Sequence, residues 1–140
     1  VQQWIVTSSG RPSVHALLDH AEGVLPVFDG VVTSDDVSTG KPSPDGYRLA
    51  LKRSGIDPSC GLAIEDSAVG LQAARVAGLP CLLTPSPWDK DLVKTSHLAT
   101  AVLNHLGDLD KPSRLQHGPP CLDGMVTLNY MHSLLAHSLS

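Results

Sequence analysis

Short apolar triplets recur along the chain, separated by polar segments rich in Gly and Pro. Trp4-Ile5-Val6, Gly30-Val31-Val32, Gly61 to Ile64, Pro80 to Thr84 and Ala101-Val102-Leu103 are too short for helices. Their β-branched and aliphatic content predicts five buried strands. Between them the apolar positions recur at helical spacing. Pro12 to Ala21 places Val14, Leu17 and Leu18 on one face, and Asp45 to Ser54 does the same with Tyr47, Leu49, Ala50 and Leu51 before the stop at Gly55. Ala68 to Ala77 is a third helix, capped by Ser67 and closed by Gly78. Strands alternating with helices in this way predict an α/β fold with a parallel sheet. Residues 111 to 124, "KPSRLQHGPPCLDG", have the composition of a linker. Val126 to Leu135 is expected to pack back as a terminal strand or helix, so that residues 1–110 form the core and 111–140 an appended segment.

Composition narrows the function classes. The 140 residues carry a net charge of −4, against the clustered Lys and Arg of a nucleic-acid groove. No apolar run approaches the roughly 18 residues of a membrane span, and no charged segment followed by an apolar one opens the chain. The three cysteines, Cys60, Cys81 and Cys121, are odd in number and widely spaced, which is no disulfide framework and fits a reducing cytoplasm. Cys81, inside an apolar strand, is expected to act as a small buried hydrophobe. Cys121, His132 and His137 lack the CxxC that would make them a zinc motif. Trp88 reads as a surface anchor.

The polar residues fall at telling places. In parallel sheets ligands sit beyond the carboxyl ends of the strands. Thr7 ends the first strand, Glu65 and Asp66 follow the third, and Lys41 stands in the loop after the second. Singly, each has an ordinary explanation: a strand-end hydroxyl, a solvated lysine, two acids at a helix start. Together they bring a hydroxyl, an ammonium and two carboxylates to one sheet edge. Paired carboxylates suit Mg²⁺, commonly held by one or two carboxylates plus substrate phosphate. A hydroxyl and a lysine suit phosphate oxygens.

Three segments in this order, "WIVTSSG", "GKPSPDGY" and "AIEDSAVGLQAARVAG", resemble motifs II, III and IV of the haloacid dehalogenase-like (HAD) hydrolases, in the branch of phosphoglycolate phosphatase and β-phosphoglucomutase. The likeness covers roughly residues 3 to 105. It implies a three-layer Rossmann-like core in which Thr7 and Lys41 serve catalysis and bind phosphate. Ser8 and Ser9 would lie beside the substrate, and Glu65 and Asp66 would hold Mg²⁺. The implied activity is hydrolysis of a small phosphorylated metabolite, such as a sugar phosphate, through an aspartyl-phosphate. A phosphosugar mutase of the same family, or a non-catalytic remnant that binds phosphate or Mg²⁺, is the alternative.

The family's nucleophilic aspartate lies in a DxDGT or DxDGV motif on a first, central strand, followed by a helical cap. Neither has a counterpart in residues 1–140. "VFDGVV" at 27–32 imitates the motif's tail, but puts Val27 at the nucleophile position. The expectation is therefore the C-terminal part of a longer protein, truncated by about a hundred residues, with the fragment alone inactive. Without that strand, the strands bearing Thr7 and Glu65 must pair across the gap or leave backbone groups unpaired.

Overall fold

The structure is a computed structural model and describes residues 1–21 and 28–138. Each apolar triplet forms a strand. β1 (Trp4–Val6) pairs in parallel with β2 (Gly30–Val32), aligning Trp4 with Gly30 and Val6 with Val32. β3 (Ala63–Glu65), β4 (Cys81–Leu83) and β5 (Ala101–Leu103) form a second parallel set in that spatial order. Among the described residues no ladder joins β1 to β3: the strands do not pair across this gap.

Within the sheet of β3, β4 and β5, the strands β4 and β5 are buried on both faces, which is why they are apolar throughout rather than alternating. On one face Ala63, Cys81, Leu83 and Val102 pack against α2 (Asp45–Ser54) and α3 (Ala68–Val76), through Tyr47, Leu71, Ala73 and Ala74. On the other, Leu82, Ala101 and Leu103 meet Tyr130 and Leu134 of α5 (Leu128–Ser138). Burial pushes the Cys81 thiol up to about 12, with the Glu65 carboxylate adding to it, so this cysteine stays a protonated core residue. Ile64 departs from the pattern: it lies mid-strand, yet is 45% exposed, while Ala63 and Glu65 on either side are buried.

The helices begin and end where their side chains dictate. Ser67 accepts a hydrogen bond from Gly70 N at 3.2 Å and caps α3. α2 ends at Gly55, whose φ of 71° lies in the left-handed region open to glycine. α1 (Arg11–His20) starts one residue before the expected Pro12 and buries Val14, but Leu17 is 64% exposed rather than sharing the buried face. The third strand is displaced from 61–64 to 63–65, so Glu65 belongs to it. Within 111–124, read from composition as a linker, Leu115–His117 forms β6, antiparallel to β5. After β4, a short α4 (Leu92–Thr95) buries Leu92, whereas Trp88 is 89% exposed. No helix among the described residues is long and apolar enough to cross a membrane.

Asp36 ties the β1–β2 half together. Its Oδ2 accepts from Thr33 N at 2.8 Å and Thr33 Oγ1 at 2.9 Å, and its Oδ1 receives Arg11 at 2.7 Å and Arg53 at 3.2 Å. The Thr33 backbone N–H, then its hydroxyl and the two guanidiniums, hold the Asp36 carboxyl far below the ordinary carboxylate range. A depressed folded-state value means that the unfolded chain binds the proton more readily. The stabilisation is thus fully present above about pH 4 and is lost as pH falls further. Asp36→Asn should lower Tm at pH 7 and flatten the fall in Tm below pH 4, measured by thermal denaturation from pH 7 to pH 2. An unchanged acid limb would show that other carboxylates carry it.

Candidate active site

The carboxyl ends of β1 and β3 open onto one pocket of about 450 Å³. Its polar lining is Thr7, Ser8, Lys41, Glu65, Asp66, Ser67 and Thr84, and its apolar wall is Val6, Ile64 and Val69. Five of the six residues expected at the site from sequence therefore meet in one place. Ser9 lies outside the lining; its N–H donates to Thr7 Oγ1 at 3.1 Å and its carbonyl accepts from Ser34 N. Val27, the false nucleophile position, lies outside the described residues. Asp29 precedes β2, at the strand end opposite the pocket, where its carboxylate accepts from Gln3 N.

Glu65 is the most constrained of these groups. β3 alternates, so Glu65 points to the same buried face as Ala63, between α2 and α3. A carboxylate buried there requires donors. Lys41 Nζ and Tyr47 Oη both donate to its Oε1, and no buried side-chain polar atom among the described residues lacks a partner. Lys41 donates also to the Val6 carbonyl at 3.0 Å, so one ammonium bridges the end of β1 to the end of β3. The same ammonium stands 5.2 Å from the centroid of the Tyr47 ring, a cation–π distance. Burial, reinforced by the Glu65 charge, raises the Tyr47 phenol far above its usual range and keeps it a donor.

Asp66 is the contrast. It follows β3, is exposed, and has no hydrogen-bond or ion-pair partner for its carboxylate among the described residues, while its backbone carbonyl accepts from Ser86 N at 2.9 Å. Lys41 and Glu65 cancel in charge, so Asp66 leaves the pocket one negative charge. Such a site repels an anion until a cation binds. A hard-oxygen donor without a protein partner, beside a second carboxylate, suits Mg²⁺, which tolerates few protein ligands and keeps its waters. Among the described residues no three His, Cys, Asp or Glu gather as a metal cluster, and this pocket offers two, Glu65 and Asp66.

Sequence reasoning missed three contributors. In the sequence Tyr47 reads as a packing residue of α2, and its hydroxyl carries no signal. Gly70 was one small residue among several in α3, yet a Cβ built there would collide with Glu65 Oε2. Thr84, whose N–H donates to the Glu65 carbonyl at 2.8 Å, also joins the lining unannounced.

Comparison with known proteins follows the same residues. The family model described as haloacid dehalogenase-like hydrolase matches residues 1–78. The bifunctional riboflavin kinase/FMN phosphatase of Arabidopsis thaliana is 38% identical over 108 residues, covering 75% of this chain and 27% of that protein. Protein CbbY of Cereibacter sphaeroides is 41% identical, covering 58% of this chain and 36% of its own length. The chain thus spans well under half of these relatives. A crystal structure of a CbbY mutant from Rhodobacter sphaeroides, in complex with xylulose-(1,5)bisphosphate, is 34% identical with a TM-score of 0.68, over 79% of this chain and 50% of that one.

Proposed function

Because the chain belongs to the haloacid dehalogenase-like hydrolases, we propose that it is the C-terminal part of a Mg²⁺-dependent phosphatase acting on a small phosphorylated metabolite. The observation that carries this reading is the charge arrangement of the pocket: a fixed ammonium, a buried carboxylate that fixes it, and an unpartnered carboxylate beside them. The FMN phosphatase of Arabidopsis thaliana and the CbbY mutant bound to xylulose-(1,5)bisphosphate share a phosphate ester as the common chemistry.

In this reading Asp66 and the free oxygen of Glu65 hold Mg²⁺, which supplies positive charge against the phosphate. Lys41 and the Thr7 hydroxyl, with Ser8 nearby, take phosphate oxygens and stabilise charge on the transferring group. Lys41 is poised for this, because its bonds to Val6 and Glu65 set its position before a ligand arrives. The pocket's carboxylates are thereby committed to positioning and metal binding. An aspartate outside residues 1–140 supplies the nucleophile and forms the aspartyl-phosphate that water then hydrolyses.

Orthophosphate release from xylulose 1,5-bisphosphate, FMN and phosphoglycolate tests this, comparing the protein extended upstream in its reading frame with residues 1–140 alone. Mg²⁺-dependent release by the extended protein and none by residues 1–140 is expected. Release by residues 1–140 that vanishes with Asp66→Asn would refute the external nucleophile. Release indifferent to EDTA would refute the metal. Transfer of phosphate between sugar positions without free orthophosphate would make it a mutase.

A further inference from the structure

Glu65 has two oxygens in two different situations, and the elements on either side of it explain why. On one side, α2 presents Tyr47 from its first turn; its hydroxyl and the Lys41 ammonium both donate to Oε1. On the other, α3 presents Gly70, and a Cβ there would occupy the space of Oε2. Oε2 has no hydrogen-bond partner among the described residues. From this arrangement we infer that Tyr47 is a positioning residue: with Gly70 it locks the Glu65 carboxylate so that Oε1 anchors Lys41 and Oε2 is left for the cation. The inference rests on the metal-binding reading above and adds to it the residues that aim the ligand.

Without the Tyr47 hydroxyl, the Lys41 ammonium is the remaining donor to Glu65, and the carboxylate is free to turn about its last torsion and share both oxygens with that ammonium. The oxygen offered to a cation is then compromised, although no residue touching the cation has changed. Outer partners that orient a metal-ligating carboxylate typically contribute tenfold to a hundredfold in affinity. The phenyl ring, which supplies the packing of α2 against the sheet, is retained in Tyr47→Phe.

The test is a double-mutant cycle read by calorimetric titration of residues 1–140 with Mg²⁺. Tyr47→Phe should weaken binding about tenfold, and the loss should shrink to under about twofold when Glu65 is already Gln, since residues that act as a unit are not additive. Gly70→Ala should weaken Mg²⁺ binding comparably with the Tyr47 hydroxyl intact. An unchanged affinity in Tyr47→Phe, or an equal loss in both backgrounds, overturns the inference. A wild-type chain that binds no Mg²⁺ refutes the metal reading instead. The cycle is then decided by Tm with Glu65→Ala, which cannot accept from Tyr47, as the second background: a drop for Tyr47→Phe confined to the chain that keeps Glu65 supports the lock, and an additive drop refutes it.

Discussion

Mg²⁺ is expected to raise the Tm of the wild-type chain and to raise that of Asp66→Asn only slightly, while the metal-free Tm of the variant stays almost unmoved. The two halves of this result have separate causes. Asp66 is exposed and its carboxylate has no protein partner among the described residues, so removing its charge falls among surface substitutions, usually within about 0.5 kcal/mol. The cation, by contrast, loses a full negative charge at contact distance. A pair of unit charges about 4 Å apart near a protein surface interacts by roughly 4 kcal/mol. Discounted for solvent screening at an open site, an affinity loss of about a hundredfold follows. A ligand present at a hundred times its Kd stabilises the folded state by about 2.7 kcal/mol, and at its Kd by only a fraction of that. Melting curves at stepped MgCl₂ concentrations therefore read the loss directly. A variant that melts as wild type does in Mg²⁺ would remove Asp66 from the metal site.

Much of this architecture is legible in the sequence for a definite physical reason. β4 and β5 are buried on both faces, so their triplets are uniformly apolar and stand out from a chain rich in Gly and Pro. β6 has no such signal. Leu115, Gln116 and His117 are all exposed, and the strand is held by backbone bonds to β5 at the sheet edge, which any side chains can make. The end of β3 was misplaced because a glutamate reads as the end of an apolar run. Glu65 nevertheless sits in the strand, since Tyr47 and Lys41 supply donors that no local pattern announces.

The site divides along the same line. Thr7, Lys41, Glu65 and Asp66 were legible because chemistry at parallel strand ends collects on one edge, and their order in the chain matches a known family. Tyr47 and Gly70 were not, because their roles are defined by what lies across an interface between elements distant in sequence. A tyrosine in an amphipathic helix and a glycine in a small-residue helix carry no mark of the carboxylate they confine. Ser9 fails in the opposite sense: it belongs to the motif by position, but the chain turns after Ser8 and carries it out of the pocket lining.

The ion pair between Lys41 and Glu65 allows the cost of burial to be separated from the role in binding. The Lys41 side chain is 14% exposed and that of Glu65 6%. Removing one partner of a buried pair leaves the other charged and uncompensated, at about 3 kcal/mol or more, whereas replacing both by groups without charge is often nearly neutral. Lys41→Met should therefore destabilise the chain by about 3 kcal/mol, with Glu65 left to Tyr47 alone. Adding Glu65→Gln should bring the double variant back to within about 1 kcal/mol of wild type, because the amide oxygen still accepts from Tyr47 and no charge is buried. Orthophosphate binding should follow a different course. It needs the ammonium, so both variants should lose about tenfold or more in affinity, the double variant despite its recovered stability. Urea unfolding gives the first quantity and calorimetric titration with orthophosphate in saturating MgCl₂ the second. A double variant as unstable as Lys41→Met would show that the lysine stem, rather than the unpaired Glu65 charge, carries the stability. Orthophosphate affinity that returned with the fold would mean that Lys41 braces β1 against β3 without touching phosphate.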